Sequence, residues 1–147
     1  MHSHSLEVSE LTLPAGEEQA IITLKNEETF FGVNNKAMVR LTRLSLANDG
    51  NKSTIFRYGK NRTINNGADT DFTAVSTDKS IASSNITSTD VSGGDDIHSI
   101  LISPTNSETI NLRDDFIQLA PGETLTISGE ISQSGAVSVS ASWVDLF

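Results

Sequence analysis

Between Thr124 and Trp143 the chain alternates with a period of two. Leu125, Ile127, Gly129 and Ile131 interleave with Thr124, Thr126, Ser128 and Glu130. After Ser134-Gly135, Val137, Val139, Ala141 and Trp143 interleave with Ser138, Ser140 and Ser142. Only an extended strand puts every second side chain on one face. The stretch therefore predicts two strands joined by a tight turn, each with an apolar row on a core and a hydroxyl row outside.

Similar segments precede it. Leu6, Val8, Leu11 and Leu13 form an extended run whose phase slips at Ser9-Glu10, as a bulge requires. Pro14-Ala15-Gly16-Glu17 is a turn, and Ala20 to Lys25 reads as a second strand. In 37–47, Met38, Leu44 and Leu46 share one phase while Val39 and Leu41 share the other, which predicts a central strand or one covered on both faces. Asn48-Asp49-Gly50-Asn51 is a hairpin signal, and residues 53–58 are the returning strand. Residues 97–103 form a further strand ended by Pro104. No segment carries a helical stripe. The expected fold is all-β: an antiparallel β-sandwich, jelly-roll-like, of short strands separated by turns. Residues 1–5 are expected to be a flexible tail, 6–147 one sandwich domain, and 59–94 long polar loops.

Composition narrows the function. The chain has 147 residues, with 36% hydrophobic and 5% aromatic content. That is enough for one domain with a thin core, and predicts that subunit burial supplies part of its stability. The net charge of -9 disfavours nucleic acid, whose phosphates need Lys and Arg, and disfavours an anionic membrane. Arg40, Arg43, Arg57, Lys60 and Arg62 fall in one third of the chain. They either form a patch for an acidic partner or solubilise outward strand faces. The absence of cysteine excludes thiolate chemistry and disulfides. The N-terminus has no positive region leading into an apolar run, and no window matches a membrane-spanning helix, so the expectation is a soluble chain made in a cytoplasm.

No catalytic, cofactor-binding or metal-binding set emerges. His2 and His4 belong to the expected tail, and His98 has no partner at motif spacing. Asp95-Asp96, Asp114-Asp115, Asp69 and Asp71 lack calcium-loop spacing and read as turn carboxylates. Gly93-Gly94 lacks the Lys-Ser/Thr of a phosphate loop. Trp143 falls on the core row. Val144, Leu146 and Phe147 are apolar at the chain end, which suggests a terminus clamped by another subunit.

The run Leu119-Ala-Pro-Gly-Glu-Thr-Leu-Thr-Ile-Ser, with Ala136-Val-Ser-Val-Ser-Ala-Ser-Trp-Val after it, resembles the closing hairpin of small β-rich virion proteins of tailed bacteriophages. Leu41-Thr-Arg-Leu-Ser-Leu-Ala-Asn-Asp-Gly and its returning strand are similar to the same group. The resemblance spans about half the chain and carries no catalytic residue. It implies a non-enzymatic capsid decoration or cement protein, made in a host cytoplasm and residing in the virion. Such a protein would bind between capsid subunits as a dimer or trimer, with major capsid protein or another virion protein as partner. The interface candidates are Met38, Arg40, Leu44, Leu46, Val144, Leu146 and Phe147. A tail or receptor-binding accessory is the alternative, and would need an exposed groove drawn from Phe30, Phe31, Phe56, Tyr58 and Phe72. A carbohydrate-binding module would need a planar aromatic platform outside the core.

Overall fold

The computed structural model describes residues 2–76, 80–113 and 117–146. Asp114-Asp115, Phe116 and the interface candidate Phe147 lie outside the described residues, as do the side chains of Asp69, Asp95 and Asp96. The chain runs through β1 (His2–Leu13), β2 (Gln19–Asn26), the short β3 (Thr29–Phe30) and β4 (Val33–Asn34), β5 (Met38–Asn48) and β6 (Thr54–Lys60). A segment with β7 (Thr63–Ile64), a single 3-10 turn at Asp69–Asp71, β8 (Thr73–Ala74), β9 (Ala82–Asn85) and β10 (Val91–Ser92) follows. The chain ends with β11 (Asp95–Ile102), β12 (Ser107–Asn111), β13 (Gln118–Leu119), β14 (Thr124–Ile131) and β15 (Gly135–Leu146). The fold is the expected all-β antiparallel arrangement.

One sheet has the order β1-β15-β5-β12, with β13 also on β5; the other has the order β11-β6-β14-β2-β9-β8. Pairing across the eight long strands is nested. β1 pairs with β15, β2 with β14, β5 with β12, and β6 with β11, all antiparallel. Each step along the chain among these eight crosses from one sheet to the other, except β6 to β11, which are neighbours. The two expected hairpins are therefore arches: Asp49-Gly50 carries the chain from β5 to β6 in the opposite sheet, and Ser134-Gly135 does the same from β14 to β15. Alternation reports which face of a strand is buried, not which strand lies beside it. Both strands of each arch present apolar rows to one shared core.

That core joins Leu13, Val39, Leu41, Leu44, Leu46, Val139 and Trp143 of one sheet to Ile22, Leu24, Phe56, Leu125 and Ile127 of the other. Trp143 is fully buried. Two bulges set the faces of the β1-β15-β5-β12 sheet, while the six-stranded sheet has register shifts between Asp95 and His98 of β11 and between Ile127 and Ser128 of β14. β1 skips a register step between Val8 and Leu11, at the expected slip, with Glu10 at φ 52°. On β5, Ser142 of β15 opposes Arg43 and Trp143 opposes Leu41, so Thr42 is the extra residue. That insertion turns Leu44 and Leu46 onto the same inward face as Val39 and Leu41. The apparent two-faced character of 37–47 is a phase change, not a second covered surface.

The expected flexible tail is strand. His2 opposes Asp145 and His4 opposes Trp143, in register with the rest of β1. The His4 side chain closes the core end: its Nε2 lies 3.2 Å from Asp145 Oδ2, and its ring packs 5.9 Å from that of Trp143. The region 59–94 is likewise more ordered than loops. β9 pairs with β2, Ala20 N donates to Thr89 O, and Ile81 and Ala82 are buried. This segment lies against the outer side of β14 and β2, where the hydroxyl row expected to be outside is buried. Thr23 and Thr126 hydroxyls bond at 3.1 Å, and Arg62 reaches Ser128 Oγ at 3.4 Å.

Candidate functional site

Leu44 and Leu46 are fully buried core residues, so these two do not offer a surface to a partner. The other described candidates come together. Arg40 lies opposite Val144 and Met38 opposite Leu146, on the face of β5 and β15 that points away from the core. All four are half-buried. Gln118 of β13 flanks Arg40, whose Nη2 donates to Arg113 O at 2.8 Å. The result is a small patch of three apolar side chains around one guanidinium at one end of the sandwich.

Met38 also opens onto a cleft of about 800 Å³ between the two sheets at that end. Ile97, Ile117 and Leu125 supply apolar wall, while Tyr58, Lys60, His98, Gln118 and Glu123 supply polar groups. The His98 ring stacks on Tyr58, with centroids 5.0 Å apart and planes 18° from parallel. β11 and β6 enforce this stack, because His98 and Tyr58 are direct cross-strand partners.

Glu123 is committed to structure. It accepts from Ala120 N at 2.8 Å and Asn61 Nδ2 at 3.1 Å, and lies 3.3 Å from Lys60 Nζ. The Ala120 backbone bond holds its carboxyl below the ordinary range; burial opposes this, and the Asn61 and Lys60 bonds with the Lys60 charge assist it. A carboxylate fixed this way locks the Pro121-Gly122 turn to the end of β6. The cleft thus combines apolar wall with an imidazole and an amide at its rim, which suits holding a side chain or strand segment of a partner.

Of Arg40, Arg43, Arg57, Lys60 and Arg62, the last three are each held by a carboxylate. Arg57 pairs with Glu130 at 3.0 Å and Lys60 with Glu123. Arg62, almost fully buried, forks onto Glu18 through Nη1 at 2.5 Å and Nη2 at 3.2 Å. The aromatic residues are dispersed. Phe56 and Tyr58 are buried, Phe72 lies under the Lys25 ammonium at 5.5 Å, and Phe30 contacts Phe31 at 4.6 Å. Phe31 stands 71% exposed. Among the described residues no group of three or more His, Cys, Asp or Glu is placed to hold a metal ion, and no helix is long and apolar enough to cross a membrane. No family model matches the chain, and no curated protein matches it.

Sequence reasoning missed the β3–β4 hairpin that presents Phe31. Its signal was Thr29-Phe-Phe-Gly-Val-Asn34, a two-residue loop with glycine second between short β-forming runs.

Proposed function

We propose that the chain is a jelly roll serving as a non-enzymatic structural protein of a tailed-bacteriophage virion, a capsid decoration or cement protein that binds between shell subunits. The observation that carries this is the nested strand order. Pairing first with last, second with second-last and so inward is what results when one long hairpin is rolled into two facing sheets. Jelly rolls of this kind recur in viral capsid and lectin domains. The resemblance of residues 41–50 and 119–144 to small virion proteins agrees with that architecture.

The patch of Met38, Arg40, Val144 and Leu146 beside the cleft is the surface we assign to the shell. It comprises four half-buried side chains, and a protein of this kind would gain its hold by contacting several shell subunits at once. The dispersed aromatics do not favour a sugar-binding platform.

Co-sedimentation with shells of the virus that encodes the chain tests this reading. The expected result is saturable binding at a fixed number of copies per capsomer, weakened by Met38→Glu and by Leu146→Glu. Absence of the chain from sedimented shells at saturating concentration would overturn it, and selective capture on a glycan array would move the assignment to a binding module.

A further inference from the structure

The β3–β4 hairpin carries apolar side chains where the fold has no use for them. Phe31 at its tip is 71% exposed and Val33 beside it 65%. Thr29 pairs with Asn34 and Phe30 with Val33, so Phe31 and Gly32 form the loop. Phe30 packs against the core, and the Phe31 ring lies 4.6 Å from it, mostly in water. Both loop residues have positive φ, 52° and 75°, a geometry that suits asparagine and glycine and disfavours phenylalanine. A residue held in a costly backbone region with its side chain in solvent points to a role outside the fold.

The hairpin is also tied down at a particular place. Asn26, fully buried at the end of β2, donates through Nδ2 to Ala37 O at 2.9 Å and to Leu119 O at 2.8 Å. Its Oδ1 accepts from Asn35 Nδ2 at 2.7 Å. Asn35 Nδ2 donates to Glu27 O at 2.8 Å, its backbone N–H donates to Glu28 O at 2.9 Å, and its Oδ1 accepts from Ala37 N at 2.9 Å. These bonds fasten both feet of the hairpin to each other and to the residue that precedes Met38. The tip is therefore presented already shaped, at the same end of the sandwich as Met38 and Leu146, and little ordering is left to be done on binding.

We infer that this hairpin is a plug for the shell: Phe31 and Val33 enter an apolar pocket on the shell protein, alongside the contact made by Met38 and Leu146. The inference rests on the virion reading above and adds to it the chemistry of the partner's surface. A single projecting ring on a short hairpin fits a pocket, where an aromatic anchor loses all its water, better than a flat face that leaves its sides wet. Charge separates this occupant from two others. The chain carries -9, so an anionic membrane repels it and so does a second copy of itself.

Shell co-sedimentation of the full chain tests the plug. Phe31→Asn removes the ring and suits the loop, and is expected to weaken binding by about thirtyfold, the loss of an aromatic anchor. Val33→Thr keeps the branched shape beside Phe30 and is expected to weaken binding by less. Leu101→Ser is the control: Leu101 is 66% exposed but sits at the opposite end, next to Ile102, whose carbonyl accepts from Asn48 at the far end of β5. That variant is expected to bind as the parent does. Parental binding that Phe31→Asn leaves unchanged would overturn the inference and leave the virion reading standing. An equal loss in Leu101→Ser would do the same. Failure of the parent itself to sediment with shells would overturn both. Flotation with phosphatidylcholine vesicles that Phe31→Asn abolishes would assign the tip to lipid instead, and a two-chain mass in light scattering that Phe31→Asn halves would assign it to a second copy; either overturns the plug.

Discussion

Gly50 and Gly135 touch backbone to backbone where the β5–β6 and β14–β15 arches cross: a Cβ on either one would sit 3.3 Å from the Cα of the other. Asp49 N donates to Ala136 O at 2.9 Å in the same place, and Ile131 Cδ1 closes the gap from the core side. The crossing holds together two chain reversals that lead into opposite sheets, so its tightness bears on the whole topology.

Gly50→Ala and Gly135→Ala are each expected to lower stability by about 1–3 kcal/mol, the usual range for forcing an extra carbon into a packed site. The Cα that each methyl meets at 3.3 Å is main chain and cannot turn aside, and a methyl on Gly135 also meets the Ile131 side chain at 3.1 Å. Urea unfolding of the two single variants and the double variant checks this. Because both methyls would fill the same gap, the double loss should differ from the sum of the singles by more than about 0.5 kcal/mol. Additive losses would mean the arches are not in contact.

His4 should matter as much as many core residues. Asp145 is fully buried and has His4 Nε2 at 3.2 Å and the Ile81 amide at 3.3 Å as partners. Removing the imidazole by His4→Ala leaves a buried carboxylate under-satisfied, at an expected cost of about 1–3 kcal/mol. His4→Ala with Asp145→Asn should cost less than the two single changes summed, as the second change removes the stranded charge. A denaturation midpoint unmoved by His4→Ala would show that the His4–Asp145 contact contributes nothing to stability.

How much of this was legible beforehand divides along a physical line. Period-two alternation marked the extent of β14 and β15 and the slip at Ser9-Glu10 marked a bulge, because both concern one strand and its own faces. Partnership was hidden: Asp49-Gly50 and Ser134-Gly135 read as hairpin turns, since the small residues that permit tight turns also permit arches to cross closely. The bulge at Thr42 was hidden as well, because a strand that changes phase and one covered on both sides show the same apolar pattern. That ambiguity sent Leu44 and Leu46 to the candidate surface when they belong to the core. Met38 and Arg40 are far from Val144 and Leu146 along the chain, and only the β5–β15 register makes them one patch. The burial of Thr126 and Ser128 depended on the segment after β6 folding against them, which no local pattern encodes.

Acid should weaken the contact between that segment and the sandwich. Burial pushes the Glu18 carboxyl up, but the hydrogen bonds from Arg62 and Ser128 and the charges of Arg62 and Arg57 outweigh it, leaving it below its ordinary value of 4.5. The unfolded chain therefore takes up the proton first as pH falls. The stabilisation from Glu18 is fully present above 4.5 and is lost as pH drops through the lower folded value. Glu18→Gln should be less stable than the parent at neutral pH, with the gap closing in acid. Urea midpoints taken at a series of pH values from about 7 down to about 3 check this, and a constant gap would count against the ion pair as its cause.

Phe31 occupies a position that its side chain makes costly. It and Gly32 form a two-residue loop between Thr29–Phe30 and Val33–Asn34, with φ of 52° and 75°. Positive φ at both central residues is the geometry that asparagine followed by glycine adopts most readily, whereas an ordinary L-residue there pays about 1–2 kcal/mol. Phe31→Asn is thus expected to raise stability by about 1 kcal/mol once the lost contact with Phe30 is set against the relieved backbone. Thermal unfolding reads that gain. The same variant separates a structural from a contact role for the exposed ring: unchanged shell co-sedimentation would keep the proposed shell contact at the Met38–Leu146 end. Weakened co-sedimentation by a more stable protein would place Phe31 in the contact, since a loss of binding could not then be put down to a loss of fold.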